Sequence, residues 1–133
     1  LPYIDLIFYD IKIADADLHA ELIGRSNERI INNLHRLIKE KGVEVHPRIP
    51  IVPGVTATHE NLSSIAGLLY KMGAGKVSLL PYNPMGMEMY PKLGRQRPHL
   101  SEGFMKPDEE KEIYEIFRTI IKEQDKSCNT RFI

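Results

Sequence analysis

Three short apolar runs alternate with segments of helical period, and this alternation restricts the fold more than any other feature of the chain. Residues 4–12 are a nearly continuous apolar run, as expected of a strand covered on both faces. Residues 43–52, "VEVHPRIPIV", are strand-like, but Pro47 and Pro50 argue against a regular ladder. Residues 76–82, "KVSLLPY", make the third strand. "DADLHAELI", residues 15–23, reads as a short helix ended by Gly24, and Ser26 can cap the next. In that next helix Ile30, Ile31, Leu34, Leu37 and Ile38 recur at helical spacing, and Gly42 stops it. Thr58 caps a third helix, striped by Leu62, Ile65, Ala66, Leu69 and Met72 and closed by Gly73. Residues 83–106 are a long segment rich in Pro, Gly and Met, a length expected of functional or disordered loops. Pro107 starts the last helix, with Asp108, Glu109 and Glu110 at its positive end. Ile113, Ile116, Phe117, Ile120 and Ile121 give its inner face. Residues 1–125 form one unit, followed by a polar tail over 126–133.

The order βαβαβα predicts an α/β fold with a parallel sheet and right-handed crossovers. Ligands in such sheets bind beyond the C-terminal strand ends. Asp10 and Lys12 stand at that end of the first strand, two positions apart and so on one face. Charges turned inward are costly unless paired or engaged by a ligand. Pro53-Gly54 follows the second strand and Pro81-Tyr82-Asn83 ends the third. Alternation groups Phe8, Asp10 and Lys12 on one face, likewise Arg48, Pro50 and Val52, and likewise Leu79, Pro81 and Asn83. If those faces line one interior, Asp10, Lys12, Arg48 and Asn83 converge on a single cavity. Three strands are few for this class, and nothing precedes the first to cover its outer edge. The chain is therefore expected to be the second half of a larger α/β barrel.

The 18 basic and 18 acidic residues cancel, so no field steers the chain to nucleic acid or an anionic membrane. No apolar run approaches the ~20 residues of a membrane span, and no signal peptide is evident. A single cysteine, Cys128, excludes an internal disulfide and any multi-cysteine site, and points to the cytoplasm.

Four stretches carry a family resemblance: "DLIFYDIK", "DADLHAELIGRSNERIINNL", "HPRIPIVPGV" and "VSLLPYNPMG". In this order and spacing they resemble the C-terminal half of the glycyl-radical-enzyme activating enzymes, such as the pyruvate formate-lyase activating enzyme, of the radical S-adenosylmethionine (SAM) superfamily. The resemblance implies a partial (β/α)6 TIM-like barrel of which this chain is strands four to six. It implies a [4Fe–4S] cluster on a CxxxCxxC loop, reductive cleavage of SAM to a 5′-deoxyadenosyl radical, and abstraction of hydrogen from a glycine of a partner glycyl radical enzyme. A flavodoxin or ferredoxin would donate the electron. By resemblance Lys12 contacts the methionyl group of SAM, Asp10 helps hold a monovalent cation, Arg48 faces the site, and Asn83 contacts the nucleoside. Asn83 departs from the His of the pyruvate formate-lyase activase. The cysteine loop, the GGE-type motif and the first three strands are absent from this chain, which is therefore expected to be an inactive fragment that self-associates through its exposed strand edge.

Plainer readings stand beside these. Asp10 and Lys12 can pair with each other or with neighbouring charges, Arg48 can be an ion-pair partner only, and Asn83 can be a turn residue before Pro84. Lys12 can also be a Schiff-base nucleophile with Asp10 as proton shuttle. The chain can be a non-catalytic half-barrel that binds a ligand or a protein. None of the five histidines has metal-ligand spacing with a second His or Cys, and His19 suits packing or capping. Met85, Met87, Met89 and Met105 are either filler or an adaptable surface for a partner protein.

Overall fold

A computed structural model describes residues 3–125; the tail over 126–133, with Cys128, lies outside the described residues. The elements are β1 (Leu6–Asp10), α1 (Ala16–Ile23), α2 (Glu28–Ile38), β2 (Glu44–Pro50), α3 (His59–Met72), β3 (Ser78–Leu80), a 3-10 turn at Pro84–Glu88, α4 (Met89–Lys92) and α5 (Pro107–Asp125). The sheet is parallel, in the order β1-β2-β3. Successive parallel strands laid down in one direction, each by a right-handed crossover, put every helix on the same side of the sheet.

That geometry overturns one expectation. β1 is covered on one face only. Ile11 and Ile13 just beyond it, with Ile49, Ile51, Val77 and Leu79, are buried on the helical side. Most of them join a core with Leu34 of α2, Leu62, Ile65 and Leu69 of α3, and Phe117, Ile120 and Ile121 of α5. On the other side Leu6 is 43% and Phe8 54% exposed. The apolar run that reads as a doubly covered strand is half covered, because no element of the described chain lies on the second face.

The local signals hold for α1 and α3 and need correction for α2. The Asp15 carboxylate accepts from the Leu18 N–H, and Gly24 closes α1 at φ 86°. Thr58 accepts from the Asn61 N–H, and Gly73 closes α3 at φ 76°. Such left-handed positions favour glycine, which lacks the Cβ that makes them costly. The Ser26 hydroxyl accepts from the Glu28 N–H, although Asn27 is the residue at the cap of α2. Gly42 sits in the turn beyond, since α2 already ends at Ile38.

β2 is regular over seven residues despite two prolines. Its even-numbered residues turn their backbone toward β1: the Glu44 N–H donates to the Asp5 carbonyl, and the Arg48 carbonyl accepts from the Ile11 N–H. Pro47 therefore faces β3, one residue before the first β2–β3 pair, Arg48 with Ser78. Pro50 is the next residue facing β1, and it has no N–H to give. The β1–β2 ladder ends there, and the Pro50 carbonyl takes the Thr56 hydroxyl instead. On the far side, the Tyr114 hydroxyl of α5 donates to the Leu79 carbonyl of β3.

Burial raises the pKa of Tyr9 above the ordinary 10.0. Burial first, and then the nearby Glu110 carboxylate, raises that of Tyr114 above 10.0. Both hydroxyls ionise less readily folded than unfolded. Their contribution to stability is complete below pH 10.0 and is lost as pH rises through the folded values. Urea unfolding followed from neutral to alkaline pH is expected to show stability falling above pH 10.0, with a shallower fall when Tyr9→Phe and Tyr114→Phe are combined. An equally steep fall in the double variant counts against this assignment.

Candidate functional site at the C-terminal strand ends

Asp10 is the last residue of β1, and the register sets it beside Arg48. Arg48 Nε donates to Asp10 Oδ1 at 2.8 Å, with the side chains 33% and 34% exposed. The guanidinium carbon lies 4.9 Å from the centroid of the Phe8 ring, within cation–π range. Phe8 in turn meets His46, with centroids 5.6 Å apart and planes at 42°. His46 Nε2 is 2.9 Å from Ser78 Oγ. One row of polar and aromatic groups thus crosses the open face from β1 to β3. Lys12 is exposed just past Asp10, and among the described residues its ammonium has no hydrogen-bond or ion-pair partner.

Of the two charges at the end of β1, the acid is matched by Arg48 across the sheet and not by Lys12. A protonated ammonium in that position suits a carboxylate or another anion.

The expected convergence of four residues is only partly realised. Asn83 is exposed, and its side-chain oxygen accepts from the Met85 N–H at 2.9 Å, forming the turn before Pro84. No hydrogen bond joins it to Asp10, Lys12 or Arg48 among the described residues. The expected grouping of Leu79 with Arg48 is also corrected. The register pairs Arg48 with Ser78 and Pro50 with Leu80, so Ser78 and Leu80 share the open face and Leu79 enters the core. The face assignment of a three-residue strand is set by its pairing, and its sequence is too short to show a period.

Two asparagines not singled out by the sequence hold the segment that carries Lys12. Where β1 leaves the ladder its backbone groups lose strand partners. Asn61 Nδ2 donates to the Lys12 carbonyl and to the Thr56 carbonyl, and Asn61 Oδ1 accepts from the Ala14 N–H. Asn27 Nδ2 donates to the Ile13 and Ala14 carbonyls, both at 2.8 Å. Asn27 and Asn61 are buried, at 3% and 6% exposure. A signal was present: each stands four residues before a core-facing isoleucine, Ile31 or Ile65, on its own helix. A polar residue on an apolar stripe must find partners inside. His19 is buried too. Its Nδ1 is 2.6 Å from the Arg25 carbonyl, so this nitrogen carries the proton and the ring closes the α1–α2 connection.

Among the described residues no three His, Cys, Asp or Glu side chains are grouped to hold a metal ion, and no described helix is long and apolar enough to cross a membrane. The chain is an α/β half-barrel whose helices cover one sheet face and whose charged strand ends lie on the other.

No family model matches the chain. It is 36% identical over 117 residues to the trans-4-hydroxy-L-proline dehydratase activating enzyme of Clostridioides difficile, covering 85% of this chain and 38% of that protein. It is 37% identical over 99 residues to the isethionate sulfite-lyase activating enzyme of Nitratidesulfovibrio vulgaris, covering 74% and 32%. Against the pyruvate formate-lyase 2-activating enzyme of Escherichia coli it is 33% identical over 91 residues, covering 68% and 31%. In structure it superposes on a domain of the pyruvate-formate lyase-activating enzyme from Bacteroides vulgatus with a TM-score of 0.63 at 22% identity, covering 97% of this chain and 66% of that one. The chain belongs to the family of glycyl-radical-enzyme activating enzymes. It spans 31% to 38% of the length of these curated relatives.

Asn61→Ala strips partners from the Lys12 and Thr56 carbonyls and the Ala14 N–H, and is expected to cost at least about 2 kcal/mol in chemical denaturation. Asp10→Asn removes an ion pair one-third exposed and is expected to cost less than about 1 kcal/mol. The reverse ranking would place the structural weight on the ion pair.

Proposed function

We propose that this chain is the SAM-facing second half of a radical SAM activating enzyme that forms a glycyl radical on a partner enzyme. The observation that carries the reading is the asymmetry at the strand ends, where Asp10 is paired with Arg48 and Lys12 is exposed and unpaired among the described residues. An unpaired ammonium fits the methionyl carboxylate of SAM. Asp10 keeps a second carboxylate oxygen beyond the one bonded to Arg48, which fits an oxygen-liganded monovalent cation. Arg48 orients Asp10 and is itself oriented by the Phe8 ring. Asn83, engaged with its own turn, still has its amide N–H groups to offer a nucleoside.

A cubane cluster needs thiolates from several cysteines, and this chain has one, so its own residues do not fit a [4Fe–4S] site. The cluster belongs to another part of the protein, together with the GGE-type motif. Bound SAM supplies the hydrogen-abstracting chemistry. The present residues hold its methionyl end and shield one side of it with the sheet. Under this reading the 133-residue chain alone turns nothing over, the whole protein is cytoplasmic, and a flavodoxin or ferredoxin supplies its electron. The non-catalytic binding module is the reading that replaces it if the test fails.

The test is the coding sequence upstream of Leu1. The proposal expects a CxxxCxxC run within about one further half-barrel. In that longer protein Lys12→Ala is expected to weaken SAM binding about tenfold, a loss of ~1.4 kcal/mol, with Lys12→Arg recovering part of it. A start codon immediately before Leu1, or unchanged SAM binding in Lys12→Ala, sinks the proposal. The even-numbered residues of β1 turn their backbone groups to an outer edge that no strand pairs among the described residues, so the isolated chain is also expected to form dimers or larger species in analytical ultracentrifugation. A monomer at all concentrations would mean that this edge needs no partner strand.

A further inference from the structure

Residues 100–105 run as a partition between two clefts. Leu100, Glu102 and Phe104 line the first, about 270 Å³, together with Met85 and Met87. Ser101, Gly103 and Met105 line the second, about 400 Å³, together with Ile113 and Ile116 of α5. The segment bends at Glu102 and Gly103, where the Ser101 hydroxyl meets the Gly103 N–H and carbonyl, and Phe104 reaches both clefts. The partition is tied down by the Tyr82 hydroxyl, which donates to the Ser101 carbonyl at 2.8 Å. Phe104 borders both clefts and remains 64% exposed, and Met85 beside it is 68% exposed. Methionine and phenylalanine grouped at the surface make an adaptable apolar contact.

The charge around this floor is one-sided. Glu88 and Glu102 border the first cleft, Glu109 and Glu112 the second, and Arg97 is the one basic side chain lining either. The ion pairs among the described residues are Asp10–Arg48, Glu44–Lys76 and Glu115–Arg118, so none of these four carboxylates is in one of them. Four glutamates against one arginine along the two clefts favour a cationic segment over a phosphate. That disfavours nucleic acid and anionic lipid as occupants. A second copy of this chain, with 18 acidic and 18 basic residues, brings no excess of positive charge.

We propose that the two clefts together form a docking groove for an extended peptide segment of a partner protein, with apolar residues that straddle Phe104 and lysines or arginines that meet the glutamates. The groove uses none of the residues assigned to the open sheet face, and the proposal goes beyond the SAM reading.

The test is fluorescence anisotropy with the 133-residue chain and a labelled nine-residue peptide of alternating leucine and lysine, against the same peptide with glutamate in place of lysine. The lysine peptide is expected to bind at least about tenfold tighter, with affinity falling as salt is raised. Phe104→Ala is expected to weaken it about tenfold, as for an interface anchor. Glu88→Gln combined with Glu102→Gln is expected to weaken it less, and mainly at low salt. Phe104 is exposed, so the melting temperature of Phe104→Ala should match the parent, which separates lost binding from lost folding. Equal binding of both peptides, no binding of either, or no effect of Phe104→Ala overturns the proposal. Full displacement of the peptide by a small apolar cation such as benzylamine would also overturn it, by showing a small-molecule site. The assay contains no SAM, so its failure leaves the sheet-face reading standing.

Discussion

With Asp10 in register with Arg48, the parallel pairing of β1 and β2 settles two things at once. It directs the apolar odd-numbered residues of both strands into the helical layer, and it sets an acid and a base side by side on the opposite face. A slip of one residue in either strand would turn that strand's charge in among the isoleucines and leave its partner alone on the open face. Keeping Ile11, Ile49 and Ile51 inside thus also keeps the charged pair outside, where one-third exposure makes the ion pair nearly neutral in stability. The core supplies the driving force, and the charged pair is carried with it.

The same pairing has to stop for the site to exist. Pro50 ends the ladder by lacking a donor, and the chain beyond β1 leaves the sheet with its backbone groups unpaired. Thr56 takes the Pro50 carbonyl, Asn61 takes Lys12 and Ala14, and Asn27 takes Ile13 and Ala14. Buried backbone groups must be paired somewhere. Here they are paired by side chains at the starts of α2 and α3, so the segment that carries Lys12 is braced, and among the described residues the ammonium has no partner. A strand end that was simply frayed would not hold it in one place.

Family membership and fold agree on what this chain contributes. Its helices cover one side of a three-stranded sheet, and the Asp10–Arg48 pair sits on the uncovered side, as in half of a barrel. The acidic groove around Phe104 lies in a different part of the molecule, between the segment after β3 and the start of α5. A small charged ligand on the sheet face and a protein segment on the groove would make separate demands on the chain. Sheet residues answer the first and loop residues the second, in keeping with the greater adaptability of loops.

Elements with strong local signals were legible from residues alone. Thr58, Gly24, Gly73 and Pro107 mark helix ends through short-range sterics and hydrogen bonds that need no tertiary partner. The apolar stripes of α2, α3 and α5 and the parallel order of strands follow from periodicity in the same way. So did the place of Asp10 and Lys12 at the C-terminal end of the first strand. The face assignment of β3, the single-sided cover of β1, the tolerance of Pro47 and Pro50 in the central strand, and the Asn27 and Asn61 bonds were decided only in three dimensions. Each depends on register or on a partner more than ten residues away, such as the Asn61–Lys12 contact across 49 positions. The sequence by itself determined which segments coil, which extend, and which charged residues end the strands, because those preferences act within a few residues. Tertiary structure alone decided which charge is paired and which is left without a partner among the described residues, because that depends on which residue the sheet register sets beside each charge.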